Sequence, residues 1–369
     1  MQRIPARIGD GPEAIETPAL VVDLDPFERN LDRMADATKG VRLRPHAKSH
    51  KCATIARAQI ERGAVGICCQ KTDEAAAFVD AGIGDVLVTN EVVASSKIAR
   101  LAELASRATI GVLVDALTGV VALSEAASRA RAVIDTYIEV DVGAHRCGVP
   151  PGPAALALAK AIARAPGLRF RGLQAYQGAA QHLREPGARR DAIARAAADA
   201  RRTREAIVGA GIACEWVTGA GTGTWQHERD SGVYDELQPG SYVFMDADYG
   251  RNVADPSELR FEQSLFVLAS VMSVPAPDRA IVDAGLKAFS FDSGLPLVHG
   301  RAGAEYVKAS DEHGVLRITG AEPPVASGER FWLVPGHCDP TVNLYDWIVA
   351  VRGGTVEGVW PIEARGALG

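Results

Sequence analysis

A lysine, a histidine–aspartate pair and a glycine-rich loop are the parts of this sequence whose chemistry asks for an explanation. Lys48 stands in RPHAKSHKC among Arg44, His46, His50 and Lys51. Like charges and partial burial both disfavour an ammonium, so its pKa is expected to be low and its amine free to attack a carbonyl carbon as a Schiff-base lysine. The plain alternative is a solvated lysine in a basic loop. His337 and Asp339 stand two apart in PGHCDPTVN. In an extended chain both project to one side while Cys338 faces away. An imidazole and a carboxylate with open positions suit Mn, Co, Zn or Mg, with water or another residue completing the shell. The glycines of TGAGTGT (218–224) expose backbone N–H groups able to cradle a phosphate. A dinucleotide fingerprint would need a following helix and a place in the first βα unit. The segment WQHERDSGVYDEL reads as irregular and the loop comes late in the chain, so a single phosphate is the better fit.

These residues need a frame to hold them, and the hydrophobic pattern supplies one. From residue 19 to about 221 short apolar runs alternate with longer amphipathic, Ala- and Arg-rich segments. Eight strands are expected, near 19–25, 41–48, 66–70, 86–90, 108–115, 133–142, 170–178 and 214–221. That count closes a (β/α)8 TIM-like barrel, whose active site lies at the C-terminal ends of its strands. The phosphate-type loops TGAGTGT and QPGSY (238–242) fall where such barrels bind phosphate. In the second strand Arg42, Arg44, His46 and Lys48 share one face, which should point into the barrel and needs acidic partners or an anion. The sixth strand offers Asp135, Tyr137, Glu139 and Asp141 on one face, and Gln174 and Tyr176 share a face of the seventh. After about residue 255 the texture changes to short β-like runs broken by Gly and Pro. The expected division is a barrel over 19–255 and a mainly β C-terminal domain over 256–369, with residues 1–18 packed on the latter.

Arg146, just past the sixth strand in DVGAHRCG, and Tyr176, at the end of the seventh, could both face a bound cofactor. Cys68 and Cys69 read as strand packing. Asp311 and His313 in SDEHG form a polar loop that either reaches the site or is a solvated turn.

Composition excludes several classes. Hydrophobic residues make up 47% and charged residues 23%, which suits an ordinary globular chain. A net charge of −6 argues against a nucleic-acid or anionic-membrane binder. The N-terminus lacks a signal-peptide core and no stretch is long enough to span a bilayer, so a cytoplasmic protein is expected. Six cysteines without CxxC pairs suit reduced thiols.

Taken together, ETPALVVDLD, LRPHAKSHKC, GICCQK, VLVTNEV, VDVGAHRCGV, GLQAYQG, TGAGTGT, ELQPGSYVFMDADYG, VDAGLKA, DEHG and PGHCDPT make the chain resemble, nearly end to end, the alanine-racemase-like, fold-type III pyridoxal-phosphate enzymes. Within them it is similar to the D-threonine aldolase and 3-hydroxy-D-aspartate aldolase group. The resemblance implies that Lys48 carries pyridoxal 5'-phosphate, that Arg146 and Tyr176 line it, and that Thr218, Gly221, Thr222, Gly223, Gly240, Ser241 and Tyr242 surround its phosphate. It implies a divalent metal on His337 and Asp339, with His337 or a metal-bound water as base, and a homodimer. The implied reaction is cleavage of a D-3-hydroxy amino acid to glycine and acetaldehyde or glyoxylate. Related D-serine dehydratases look as if they carry cysteine two residues after the metal histidine; Asp339 at that place favours the aldolase branch. Ala220 departs from the usual TGGGTG. A dehydratase, a racemase and a non-catalytic pyridoxal-phosphate carrier are the rival readings. His145, Arg146, Arg251 and Lys287 are candidates for a distal substrate carboxylate.

Overall fold

The computed structural model describes residues 2–369. Among the described residues two sheets account for the strands. The first is a ring of eight parallel strands: β2 (Arg42–Leu43), β3 (Ile67–Cys69), β4 (Asp85–Glu91), β5 (Thr109–Val114), β6 (Ile134–Glu139), β7 (Leu168–Gln174), β8 (Trp216–Gly219) and β9 (Glu236–Leu237). Their order is β2-β9-β8-β7-β6-β5-β4-β3, and the parallel bridge His46↔Cys68 joins the two ends. Amphipathic helices wrap the ring, as a closed parallel sheet requires on its outer face. The second sheet holds β1 (Ala19–Asp23), β10 (Leu265–Ala276), β11 (Arg279–Val282), β12 (Leu297–His299), β13 (Ala304–Ala309), β14 (Gly314–Ile318), β15 (Arg330–Val334), β16 (Trp347–Arg352) and β17 (Thr355–Pro361).

The barrel and the mainly β second unit agree with the sequence reading, but one strand changes places. Residues 19–25, expected to open the barrel, form β1 of the second sheet, antiparallel to β10 and parallel to β16. Ala19, Leu20, Val21 and Val22 are buried on both faces, so their apolar run carries no mark of which sheet it joins. The barrel strand that takes the vacated place is β9, only two residues long, at the end of the segment read as irregular and just ahead of QPGSY. Ahead of β1, Ala6 and Ile15 pack with Val349, Val351 and Val356 of the second sheet. The segment after TGAGTGT, read as irregular, begins with a helix, Trp225–Asp230, anchored by the buried Trp225.

Inside the barrel the charges of β2 are neutralised, though not by β6. Arg44 reaches Glu236 of β9 at 2.9 Å and Asp85 of β4 at 2.6 Å, and Arg42 reaches Glu236 at 3.2 Å. Asp135 of β6 is taken by Arg169 and Arg171 of its own neighbour β7. Arg42 and Arg171 also sandwich the Trp216 ring, at 4.1 and 4.0 Å from its centroid. Ring closure explains the pairing: β9 is adjacent to β2, whereas β6 is four strands away along the sheet. Glu236 is fully buried and serves both arginines, so Glu236→Gln leaves cationic charge uncompensated in the barrel. We expect it to lower the unfolding free energy in a urea titration by about 3–5 kcal/mol. Arg317→Ala, which breaks the exposed Glu305 pair, should cost about 1 kcal/mol or less.

Candidate active site

Pro45 has no N–H to give to a ladder, and β2 ends just before it, at Leu43. The chain then tightens into a short 3-10 turn, Ala47–Ser49, so Lys48 leaves a turn and not a strand end. His46 caps that turn: its Nδ1 accepts the Lys48 backbone N–H at 3.3 Å. Its Nε2 lies 2.9 Å from both the Thr89 hydroxyl and the Gln70 amide. Lys48 lines a cavity of about 140 Å³ at the C-terminal end of the barrel strands, with His46, Gln70, Thr89, Arg146, Gln174, Tyr176, Gln238 and Tyr249. Ala220, Gly221, Thr222, Gly240 and Ser241 complete its wall.

The Lys48 ammonium is ion-paired with Asp339, which comes from the second domain. After β15 the chain turns into a one-turn helix, Cys338–Val342, with His337 extended at its N-cap and Asp339 in its first turn. The expected fully extended H-x-D geometry is therefore absent, yet the two side chains converge, with His337 Nε2 3.9 Å from Asp339 Oδ1. His337 Nδ1 lies 2.9 Å from Asp292 Oδ2. A neutral ring donating its Nδ1–H to Asp292 turns an Nε2 lone pair toward Asp339, the arrangement by which a carboxylate orients a ligating imidazole. The loop is tied to the barrel by main-chain bonds: Cys338 N–H donates to Asp246 at 2.9 Å. Ala247 and Asp248 N–H donate to the Pro335 and Gly336 carbonyls at 3.0 and 3.1 Å.

These contacts set the charges. Burial disfavours the Lys48 ammonium, but Asp339 and then Tyr176 outweigh it and hold the group above the ordinary lysine value. The low pKa expected from the basic neighbours is thus reversed, because the sequence neighbours were visible and the carboxylate 291 residues away was not. Burial likewise disfavours the Asp339 charge, yet Lys48 and His337 pull the carboxyl well below the usual range. Burial opposes the His337 imidazolium, while Asp339 and Asp292 raise it above the ordinary imidazole value. His46 is driven far the other way, by burial and then by Lys48, and is a neutral ring.

Arg146 places its guanidinium 5.8 Å from the Tyr176 ring centroid and 3.6 Å from Glu139. Burial and the adjacent Glu91 carboxyl push Glu139 up to about 8.

The loop after β8 turns through Ala220, whose φ of +77° lies in the left-handed region where glycine would be unstrained. Thr222 has a buried hydroxyl with no partner among the described residues. A Cβ at Gly240 would come 2.6 Å from the His46 carbonyl, so only glycine permits that approach. An unspent hydroxyl, a glycine-lined wall and the nearby Ser241 fit a small anionic group such as a phosphate. The structure does not bring Thr218, Gly223 or Tyr242 to the cavity. The Thr218 hydroxyl donates to Gln174 at 2.6 Å, the Gly223 N–H donates to Gln181 at 3.0 Å, and the Tyr242 hydroxyl accepts from Gln59 at 3.1 Å.

Of the distal-carboxylate candidates other than Arg146, Arg251 is held by Asp248 together with Arg184 and His182, and the Asp248 N–H donates to the carbonyl beside His337. His145 pairs with Asp141, and Lys287 with Glu312. Asp311 and His313 stay in the loop between β13 and β14, without a hydrogen bond to the cavity wall among the described residues. Sequence reading missed Thr89, Gln238, Tyr249 and Asp292. Each is a single polar residue whose place became evident only once the strands were closed into a ring and the second domain was laid over it. Among the described residues no cluster of three or more His, Cys, Asp or Glu side chains could hold a metal ion, so His337 and Asp339 stand as a two-donor site.

Comparison with known proteins agrees with this geometry. Residues 22–248 match the alanine racemase N-terminal domain and residues 264–351 a serine dehydratase domain. D-threonine aldolase of an Arthrobacter species is 50% identical over 366 residues, covering 98% of this chain and 96% of that one. The 3-hydroxy-D-aspartate aldolase of Paracoccus denitrificans (strain Pd 1222) is 48% identical over 372 residues, covering 98% and 95%. The crystal structure of D-threonine aldolase from Filomicrobium marinum superposes with a TM-score of 0.97 at 49% identity, covering 99% of this chain and all of that one. Fold and site together define a barrel-type pyridoxal-phosphate enzyme with a lysine at the mouth of the barrel. The chain belongs to the alanine-racemase-like family, in its D-threonine aldolase and 3-hydroxy-D-aspartate aldolase group.

If the Gly240 approach shapes the phosphate end of the cavity, Gly240→Ala should weaken pyridoxal phosphate binding by about tenfold or more, a loss of about 1.4 kcal/mol or more. Absorbance titration of the purified protein reads this directly, with circular dichroism confirming an unchanged fold; unaltered affinity would place the phosphate elsewhere.

Proposed function

We propose that this protein cleaves D-3-hydroxy amino acids, D-threonine or 3-hydroxy-D-aspartate, to glycine and an aldehyde, using pyridoxal phosphate and a divalent metal. The observation that carries this reading is the 48–50% identity to two such aldolases over 98% of the chain, with Asp339 paired to the cavity's Lys48 and His337 converging on Asp339. Pyridoxal phosphate, when bound, supplies the electron sink for the carbanion left when Cα–Cβ breaks. A divalent ion, when bound, supplies the Lewis acidity that lowers the pKa of the substrate's β-hydroxyl.

The chain's own residues have distinct parts in this. Lys48 is the point of cofactor attachment. Thr222, Gly240 and Ser241 supply the hydroxyl and the close backbone approach for the phosphate, while Arg146 and Tyr176 face the cofactor's body. His337 and Asp339 hold the ion. With Nδ1 donating to Asp292 and Nε2 given to the ion, the His337 ring has no lone pair left for a substrate proton. Its contribution is therefore to hold and orient, and the base must be another group. His46, neutral and bonded to Thr89 and Gln70, keeps the Lys48 turn in place without adding a competing charge.

Among the described residues no helix is long and apolar enough to cross a membrane. We infer further, from the family alone, a homodimer acting in the cytoplasm.

The test is to add pyridoxal phosphate and Mn²⁺ to the purified protein with D-threonine or 3-hydroxy-D-aspartate and assay glycine. Glycine with acetaldehyde or glyoxylate should form, should be lost in EDTA, and should be absent from Lys48→Ala at any metal concentration. The ratio of the two rates names the better substrate. Ammonia with an oxo acid in place of glycine would overturn the aldolase reading in favour of a dehydratase, and the enantiomer alone in favour of a racemase.

A further inference from the structure

Behind the glycine-rich loop lies a buried carboxyl group with no role in the reading above. Glu228, on the helix Trp225–Asp230, is fully buried. Its Oε1 accepts from the Thr224 hydroxyl at 2.8 Å, and that hydroxyl accepts from Gln181 Nε2 at 2.7 Å. Gln181 Oε1 in turn accepts the Gly223 N–H at 3.0 Å. Three buried side chains thus form one hydrogen-bonded line from Glu228 to the backbone of the loop that passes Thr222 at the cavity wall. Glu228 Oε2 has no partner among the described residues.

Among the described residues no cation offsets this group. On its own helix His227 faces Glu258 and Arg229 faces Asp230. From the long helix Pro186–Gly209 packed beside it, Arg189 is bound to Glu258 and Arg201 to the Ser231 carbonyl. The titratable groups coupled to it are Tyr234, whose hydroxyl donates to the Ala175 carbonyl, and Tyr176 of the cavity. Desolvated and short of partners, the carboxyl is stable only when neutral.

We infer that Glu228 is a positioning residue that supports the phosphate loop in its protonated form, and that release of its proton to solvent weakens the grip on the cofactor's phosphate. The logic is electrostatic. A carboxylate fixed behind the loop repels a phosphate dianion across a dry interval, whereas a carboxylic acid does not. By reciprocity the bound phosphate makes the Glu228 proton harder to remove. Burial already pushes this carboxyl up to about 8. A carboxyl raised on folding contributes stability fully present below its unfolded value and lost as pH rises through its folded one. In the folded protein the proton itself leaves only near and above about pH 8, and it is there that repulsion of the phosphate sets in. The inference rests on the cofactor reading above.

The test measures the dissociation constant of pyridoxal phosphate from pH 6.5 to 9.5 in the wild-type protein and in Glu228→Gln, which keeps the shape and an acceptor for Thr224 but cannot ionise. The variant cancels the separate titration of Lys48. The wild-type to variant ratio should be about one at pH 7 and climb about tenfold by pH 9.5. Pyridoxal, which lacks the phosphate, should show a flat ratio. In the wild type alone, the ³¹P resonance of bound cofactor should shift with an inflection at or above pH 8, which keeps the test open if the variant does not fold. A ratio constant with pH, a climb of equal size with pyridoxal, or a ³¹P resonance that does not move would each overturn the inference. Absence of pyridoxal phosphate binding at every pH would instead overturn the cofactor reading, and the inference with it.

Discussion

The ion pair between Lys48 and Asp339 is the contact on which the site depends, because it joins residues carried by the two sheets. Neither partner is placed by its own domain alone. Lys48 is positioned by the break in β2 after Leu43 and the turn that follows. Asp339 is positioned by the single-turn helix after β15, and main-chain bonds from Cys338, Ala247 and Asp248 fix that helix against the barrel. A buried charge is costly unless it is paired, so each domain carries a group that is satisfied only when the other is in place.

The pair also sets the charge of the lysine. Asp339 holds Lys48 as an ammonium, and an ammonium is not a nucleophile. On the proposed reading His337 and Asp339 would hold a divalent ion, whose charge would offset the carboxylate that here pairs with Lys48. The Asp292 contact to His337 and the Ser241 contact to Asp339, at 2.9 and 3.3 Å, keep both side chains oriented.

Much of this was legible in the chain because barrel strands and phosphate loops leave periodic or compositional marks. The inward face of β2, the polar face of β6 and the glycines of TGAGTGT could all be read from spacing. What could not be read was pairing across the ring. Arg42 and Arg44 needed acids, and β6 offered a full face of them, but Glu236 and Asp85 are the residues that adjacency delivers. A strand of two residues, Glu236–Leu237, has no period to detect, so the eighth place in the barrel was assigned to 19–25, a stronger apolar run that serves the other sheet. The Lys48 pKa failed for the same reason. Local sequence supplied only cations, and the deciding anion came from the far domain. By contrast His337 and Asp339 converge although the chain between them does not stay extended, since the turn after His337 still leaves the two side chains 3.9 Å apart.

The central claim is that His337 and Asp339 form a true metal site at the lysine. Electron spin echo spectroscopy of Mn²⁺ added to the purified protein tests it most directly. The expected result is nitrogen modulation from one directly bound imidazole, lost in His337→Ala, and Mn²⁺ binding weakened at least tenfold in Asp339→Ala. Mn²⁺ that binds both variants as it binds the wild type, with no imidazole modulation in any of them, would contradict the account.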